Sequence, residues 1–131
     1  MLVNSIKLFI YLFVITAYSF SRADAYTDFF RAVNVDNAGV VAELLDKGFD
    51  PNTLSEKGQV ALFIAMRDDA PKVAAVLLAS PKLNVDAANA AGETPLMMAA
   101  LQGRLDWARK LIETGAKVQK AGWSPVVTSL T

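Results

Sequence analysis

The sequence predicts an all-α solenoid, in which helix pairs are stacked and each pair buries its apolar side against its neighbours. The first observation is an internal repeat, because residues 58–78 align without a gap with residues 92–112. The second is that the same frame extends back to the apolar positions Phe29, Ala32, Val40 and Leu44. The offset between the two segments is 34 residues, and a period of this length is typical of stacked repeats that fold only against one another. The matched pairs are Gly58 and Gly92, Leu62 and Leu96, Ala65 and Ala99, Ala74 and Ala108, and Leu77 and Leu111.

Signals for helix starts recur in the same frame. Thr94 predicts an N-cap, because a threonine hydroxyl accepts a hydrogen bond from the first turn, and Pro95 suits the first helical position, which needs no N–H. Ser124 and Pro125 repeat this device. Val60 occupies the position of Thr94 in the preceding repeat, so that helix is expected to start without a side-chain cap, at a cost of roughly 1 kcal/mol.

Tight turns are predicted between and after the helices. Gly103 lies where a left-handed residue is expected between two helices, and the matching positions hold Asp69 and Asp36. Aspartate tolerates the left-handed conformation better than most residues do. Gly48 and Gly115 are placed to end the second helix of their repeats as C-terminal caps.

Residues 91–100, Gly103 and residues 111–116 together resemble the ankyrin repeat, which opens with Gly-x-Thr-Pro-Leu-His and closes with Leu-Leu-x-x-Gly-Ala. The resemblance covers nearly everything after residue 26. It implies stacked helix pairs with β-hairpin fingers, in about three repeats and an incomplete fourth. The repeats are expected at about 26–54, 55–87 and 88–120, with the partial one at 121–131, and the two complete fingers at Asp50 to Lys57 and Asn84 to Ala91.

The first 25 residues have the pattern of a secretory signal peptide. A single basic residue, Lys7, precedes an apolar run from Leu8 to Phe20, and Ala23-Asp24-Ala25 follows as an Ala-x-Ala cleavage site. Cleavage after Ala25 would leave a domain over 26–131, whose first helix is expected to start at Thr27 or Asp28. The alternative is an uncleaved membrane anchor, although about 20 apolar residues are needed to span a bilayer.

The composition excludes several classes of function. The chain has no cysteine and no histidine, which removes disulfides, thiolate chemistry, histidine-based triads and most zinc sites. Its 13 basic and 13 acidic residues give no net charge, so nucleic acid and anionic lipid are not expected as ligands, and neither is a cofactor or a metal ion. A carboxylate-dependent hydrolase using Asp68, Asp69 and Glu93 is a remote alternative, and the pair at 68 and 69 is better explained as a solvated turn.

The resemblance also implies a binding surface, because partners of ankyrin proteins usually contact the finger tips and the exposed side of the first helices. Leu101 and Trp123 are the strongest candidates, since a solenoid gains nothing from exposing them. Trp123 could instead pack on the end of repeat three, while Trp107 is expected in the core. The partner-binding positions carried over by repeat are Asn34, Glu56, Lys57, Gln59, Arg67, Asp68, Glu93, Leu101, Gln102 and Trp123.

These features predict a non-enzymatic protein-protein interaction module that is periplasmic or secreted. Similarity to exported ankyrin proteins of bacteria suggests two roles, namely inhibition of a periplasmic hydrolase or support of a periplasmic oxidative-stress enzyme. A membrane-anchored structural scaffold, with the segment from Leu8 to Phe20 retained, is the alternative from a different class. The partner is expected to be another periplasmic or secreted protein.

The end of the sequence raises a further expectation. The partial fourth repeat offers only a short segment to cover repeat three, whose last face would be built from apolar residues such as Met97, Met98, Trp107 and Leu111. Terminal repeats normally carry a polar outer face. Truncation, a homodimer or a partner that completes the cap would each account for this end, and self-association in the absence of a partner is the expected result.

Overall fold

The computed structural model of the protein describes residues 24–118, which form six helices in three consecutive pairs. The helices are α1 (24–34), α2 (Ala38–Asp46), α3 (Ala61–Asp68), α4 (Pro71–Ala79), α5 (Pro95–Leu101) and α6 (Leu105–Glu113). Between repeats, α2 packs against α4 and α3 packs against α5, and within repeats two and three the first helix packs against the second. This arrangement confirms the predicted all-helical solenoid.

Helix α3 is the centre of the core. Its first six residues, from Ala61 to Met66, are all buried, whereas an ordinary surface helix buries only one stripe. The second helix of the same repeat contributes Val73, Ala74 and Leu77, each with no exposed surface. Repeat two is therefore covered on both sides, as expected for the middle unit of a stack.

The helix starts follow the predicted capping pattern. The Thr94 hydroxyl accepts a hydrogen bond from the backbone N of Met97, and Pro95 takes the first position of α5. Val60 precedes α3 in an extended conformation and provides no side-chain cap, as predicted. Asn37 caps α2 by accepting from the backbone N of Val40.

The turns between paired helices also match the prediction. Asp36, Asp69 and Gly103 have φ angles of 56°, 57° and 71°, all in the left-handed region. Asp36 has a second role, because its Oδ1 accepts from the backbone N of Val73, 2.9 Å away in the next repeat. Since Ala70 at the start of α4 provides no cap of its own, repeat one caps a helix of repeat two.

The fingers differ from the expected β-hairpins. In residues 24–118 the only β pairing is one isolated antiparallel bridge between Leu54 and Val60, and the segment from Asn84 to Ala91 contains turns without a bridge. Backbone hydrogen bonds close each finger, from Ser55 N to the Gln59 carbonyl and from Asn89 N to the Glu93 carbonyl. The side-chain amide of Asn52 joins the two fingers to each other. Asn52 Oδ1 accepts from the backbone N of Asn84 at 2.7 Å, and Asn52 Nδ2 donates to the carbonyl of Lys82 at 2.8 Å.

The first helix is held to the rest of repeat one by aromatic side chains. Residues 24–34 are helical in the full chain, and the start at Thr27 or Asp28 after cleavage stays a prediction. Phe29 is completely buried and stacks against Phe49 with 4.4 Å between ring centroids. The Tyr26 hydroxyl donates to the carbonyl of Leu54, which fastens α1 to the first finger.

Repeat three buries more of its apolar surface than the sequence indicated. Met98 and Leu111 are buried, and Met97 and Trp107 are half-buried, so these four residues do not form the open apolar face that was expected. Trp107 packs against the core as expected but is only half-buried, and Lys110 Nζ lies 4.5 Å from its ring centroid. The partial fourth repeat lies outside the described residues. Within residues 24–118, no helix has the length and hydropathy needed to cross a membrane.

The cap contributed by Asp36 leads to a stability prediction. Asp36→Ala removes the acceptor for Val73 N, and alanine tolerates the left-handed conformation of this turn less well than aspartate does. The substitution should therefore lower the free energy of unfolding by about 1–2 kcal/mol. Asp36→Asn keeps both the acceptor and the tolerance for this conformation and should cost clearly less. Urea denaturation of the three proteins measures the difference, and an equal loss in the two variants would contradict the proposed cap.

Candidate functional site

A concavity of about 210 Å³ lies between repeats one and two on the side of the first helices. Helix α1 contributes one wall, the first finger contributes the rim, and α3 contributes the other wall. Five of the ten predicted partner-binding residues line this concavity together. The sequence alone did not show that these five residues lie close to one another. The lining residues are Phe30, Asn34, Ser55, Glu56, Lys57, Gln59, Ile64 and Arg67.

Arg67 makes three side-chain hydrogen bonds at this surface. Its Nε and Nη2 donate to the two carboxylate oxygens of Asp68 at 2.8 and 3.1 Å, while Nη1 donates to Gln59 Oε1 at 2.9 Å. The Arg67 side chain is one-third exposed, so water partly screens its ion pair. The hydrogen bond from Arg67 lowers the pKa of Asp68, and burial opposes this effect only in part. The two residues therefore present a fixed pair of opposite charges at the end of α3.

The carboxylates do not have the environment of a catalytic acid. The pKa of Asp68 is lowered, whereas a general acid at neutral pH requires a raised pKa. Asp69 lies 3.4 Å from Arg104 in the left-handed turn, and Glu93 Oε1 accepts from Asn89 Nδ2. Each group thus has a structural partner, which supports the turn interpretation of positions 68 and 69. No cluster of potential metal ligands occurs among the residues that the structure describes.

The predicted residues of repeat three lie apart from the concavity. Leu101 ends α5 with 73% of its surface exposed, and Gln102 follows it with its amide 3.6 Å from Met98 Sδ. Glu93 is half-buried and lies just after the second finger. Asp68 belongs with Arg67 at the edge of the concavity but does not line it. Trp123 lies outside the described residues.

Sequence reasoning missed the apolar floor of the concavity. Phe30 and Ile64 contribute that floor, and Ser55 contributes to the rim. Helical spacing could have identified the floor, because Phe30 lies four residues before Asn34 and Ile64 lies three before Arg67, so each shares a helix face with a predicted binding residue. Phe30 also contacts the rings of Tyr26 and Phe29, with centroid distances of 5.0 and 5.1 Å.

A second, larger cleft of about 520 Å³ lies on the opposite face, between α2 and α4. Its walls are mostly apolar, with Asp46 and Lys82 as the charged residues. Size alone does not identify a binding site, because specificity comes from placed polar groups, which are denser in the concavity. The residues of this back cleft are Ala42, Leu45, Asp46, Val76, Ala79, Ser80, Pro81 and Lys82.

Fold and surface together define a repeat protein that works through exposed contacts rather than an enclosed active site. The chain belongs to the ankyrin-repeat family, since the family described as "Ankyrin repeats (3 copies)" matches residues 29–121. It is also similar to the poly [ADP-ribose] polymerase tankyrase of Caenorhabditis elegans, with 39% identity over 71 residues. That match covers 52% of this chain but only 3% of the relative, so the likeness concerns the repeats alone. Ankyrin repeats bind other proteins and are generally not enzymatic, which makes this chain a protein-protein interaction module.

The Arg67 pair gives a prediction for titration. Since the pKa of Asp68 lies below its ordinary value of about 3.9 in the folded protein, the pair contributes stability above that pH and loses it as the pH falls further. Arg67→Ala should return the pKa of Asp68 toward the ordinary value, as measured by carboxyl-carbon NMR between about pH 2 and 6. Arg109→Ala, on the exposed side of α6, is the control. An unchanged Asp68 titration in Arg67→Ala would show that the two side chains do not pair in solution.

Proposed function

We propose that this chain is an exported, non-enzymatic ankyrin-repeat protein that binds another envelope or secreted protein through its concave surface. The observation that carries the proposal is the convergence of Asn34, Glu56, Lys57, Gln59 and Arg67 on one concavity. These residues come from two repeats and from three separate elements. A protein-binding family, a surface concavity and a convergent polar rim all favour recognition of a partner.

The chemistry of the concavity suits a partner side chain with an apolar body and a polar end. Phe30 and Ile64 offer apolar contact at the floor, while Lys57 and Glu56 supply one charge of each sign at the rim. Arg67 adds a group whose orientation is fixed before binding, which reduces the entropy lost in the complex. Leu101 extends the surface into repeat three as an exposed apolar contact.

The envelope role rests on the amino-terminal sequence. A basic residue, a short apolar run and an Ala-x-Ala site support export and cleavage, which would release the repeat domain into the periplasm or the medium. Similarity to exported ankyrin proteins of bacteria suggests that, in that compartment, the protein inhibits a hydrolase or supports an oxidative-stress enzyme. A membrane-anchored scaffold that retains the segment from Leu8 to Phe20 is the alternative for the same fold.

The binding proposal predicts the effect of two substitutions in the concave surface. Arg67→Ala combined with Leu101→Ala should weaken the complex with the partner by about 1–3 kcal/mol if either is a hot spot, because both side chains are exposed to a ligand. The thermal midpoint of the free protein should move little, since a surface ion pair contributes about 0–1 kcal/mol. The partner is first isolated from the producer's envelope fraction with the mature protein, and affinity is then measured by calorimetry.

A matched control carries Arg109→Ala and Ile112→Ala, which also removes one basic and one exposed apolar side chain, but from α6. This control should bind as tightly as the unmodified protein. Unchanged affinity of the Arg67 and Leu101 double variant would contradict the concave site. A loss in the control instead would move the interface to the face of the second helices.

Export has its own test. Cleavage after Ala25 predicts a mature protein that starts at Tyr26 and is recovered from the periplasmic extract or the medium. Intact mass spectrometry of the fractionated producer measures this start directly. Recovery of the uncleaved chain from the membrane pellet would overturn export with cleavage and favour the anchored scaffold.

A further inference from the structure

Arg104 is a residue of repeat three whose side chain is bound almost entirely to repeat two. Its Nε donates to the carbonyl of Met66 at 2.7 Å and its Nη2 donates to the carbonyl of Arg67 at 3.4 Å. Its Nη1 lies 3.4 Å from Asp69 Oδ1, and its side chain is only 24% exposed. All of the guanidinium contacts therefore converge on the last turn of α3 and the residue that follows it.

These contacts meet a specific need of α3. The last carbonyls of a helix have no partner inside the helix and are stabilised by a cation. The carbonyl of Ala65 is satisfied by the backbone N of Asp69 and of Ala70, which turn back on the helix. The next two carbonyls, of Met66 and Arg67, are those that Arg104 binds.

The contact is particular to this junction. The position that matches Arg104 holds Ala70 in repeat two, which cannot reach a neighbour, and Asn37 in repeat one, which caps its own helix α2. At the junction of repeats one and two, Asp36 bridges the stack instead, but it binds the start of α4. Arg104 is thus the side chain that joins repeat three to the end of α3 bearing Arg67 and Asp68.

We propose that Arg104 is a positioning residue for the concave surface, which holds the end of α3 so that Arg67 remains paired with Asp68 and Gln59. Recognition at repeat two then depends on an intact repeat three, although repeat three contributes no side chain to the concavity. This inference rests on the proposed function for the role of Arg67 in binding. The positioning itself is a property of the free protein and can be tested without a partner.

The test uses NMR of the full-length protein and follows the Arg67 Nε–H, because its 2.8 Å hydrogen bond to Asp68 should slow its exchange with water. Arg104→Lys is the informative variant, because it keeps the positive charge near Asp69 but cannot donate from one rigid plane to two carbonyls and a carboxylate. Arg104→Gln removes the charge as well. Arg109→Lys and Arg109→Gln, on exposed α6, are the matched controls. Urea denaturation of every variant confirms that each remains folded under the NMR conditions.

Positioning predicts that Arg67 Nε–H exchanges about two- to fivefold faster in both Arg104 variants, which corresponds to loss of a part-exposed ion pair. The pKa of Asp68 should rise toward its ordinary value in both, while the two Arg109 variants behave as the unmodified protein. The proposal would be overturned if Arg104→Lys showed normal exchange and an unchanged Asp68 titration while Arg104→Gln showed a change. That result would mean that Arg104 acts only through its positive charge. Lower stability with an unchanged Arg67 signal in both variants would also overturn the proposal. Failure of the partner-binding experiment would leave these signals unaffected, so the two proposals can fail separately.

Discussion

Burial of repeat two between its neighbours is the constraint on which the rest of this structure depends. Helix α3 buries six consecutive residues, which is possible only because apolar surface meets it from both sides of the stack. Each fully buried aliphatic or aromatic side chain contributes about 1.5–3 kcal/mol relative to exposure, so this helix has no stable form outside the stack. The flanking repeats therefore supply the apolar surfaces against which repeat two is buried.

Two polar contacts between repeats support repeat two in the same way. Asp36 of repeat one caps α4, and Arg104 of repeat three binds the end of α3, so both flanking repeats supply hydrogen bonds that repeat two lacks. Val60 and Ala70 are the positions where repeat two has no cap of its own. The surface that displays Arg67 is therefore supported from both sides, and a binding site on a short solenoid acquires the fixed geometry that recognition requires.

Local signals in the sequence predicted most of the fold. The contacts between repeats could not be predicted, because they join residues that are far apart in the chain. Thr94 and Asp69 act through their own backbone neighbourhood, so their roles could be predicted from residue type and spacing. The contact of Arg104 with Met66 spans 38 residues, and no local pattern encodes it. The fingers were predicted from the family, but the hydrogen bonds by which Asn52 joins the first finger to the second span 30 and 32 residues, and no local pattern encodes them. The residues of the predicted rim come together only in the folded protein, which also places Phe30 at the floor of the concavity.

Native-state hydrogen exchange of the free protein tests the central claim most directly, because it reports the opening free energy of each helix separately. The account predicts that the amides of Ile64 in α3 and Leu77 in α4 exchange most slowly, through unfolding of the whole stack. Val41 in α2 and Leu111 in α6 are similarly buried but should open at lower free energy, because each lies in a repeat that is packed against another described repeat on one side only. Slower exchange at Val41 or Leu111 than at Ile64 and Leu77 would show that repeat one or repeat three, and not repeat two, holds the structure together.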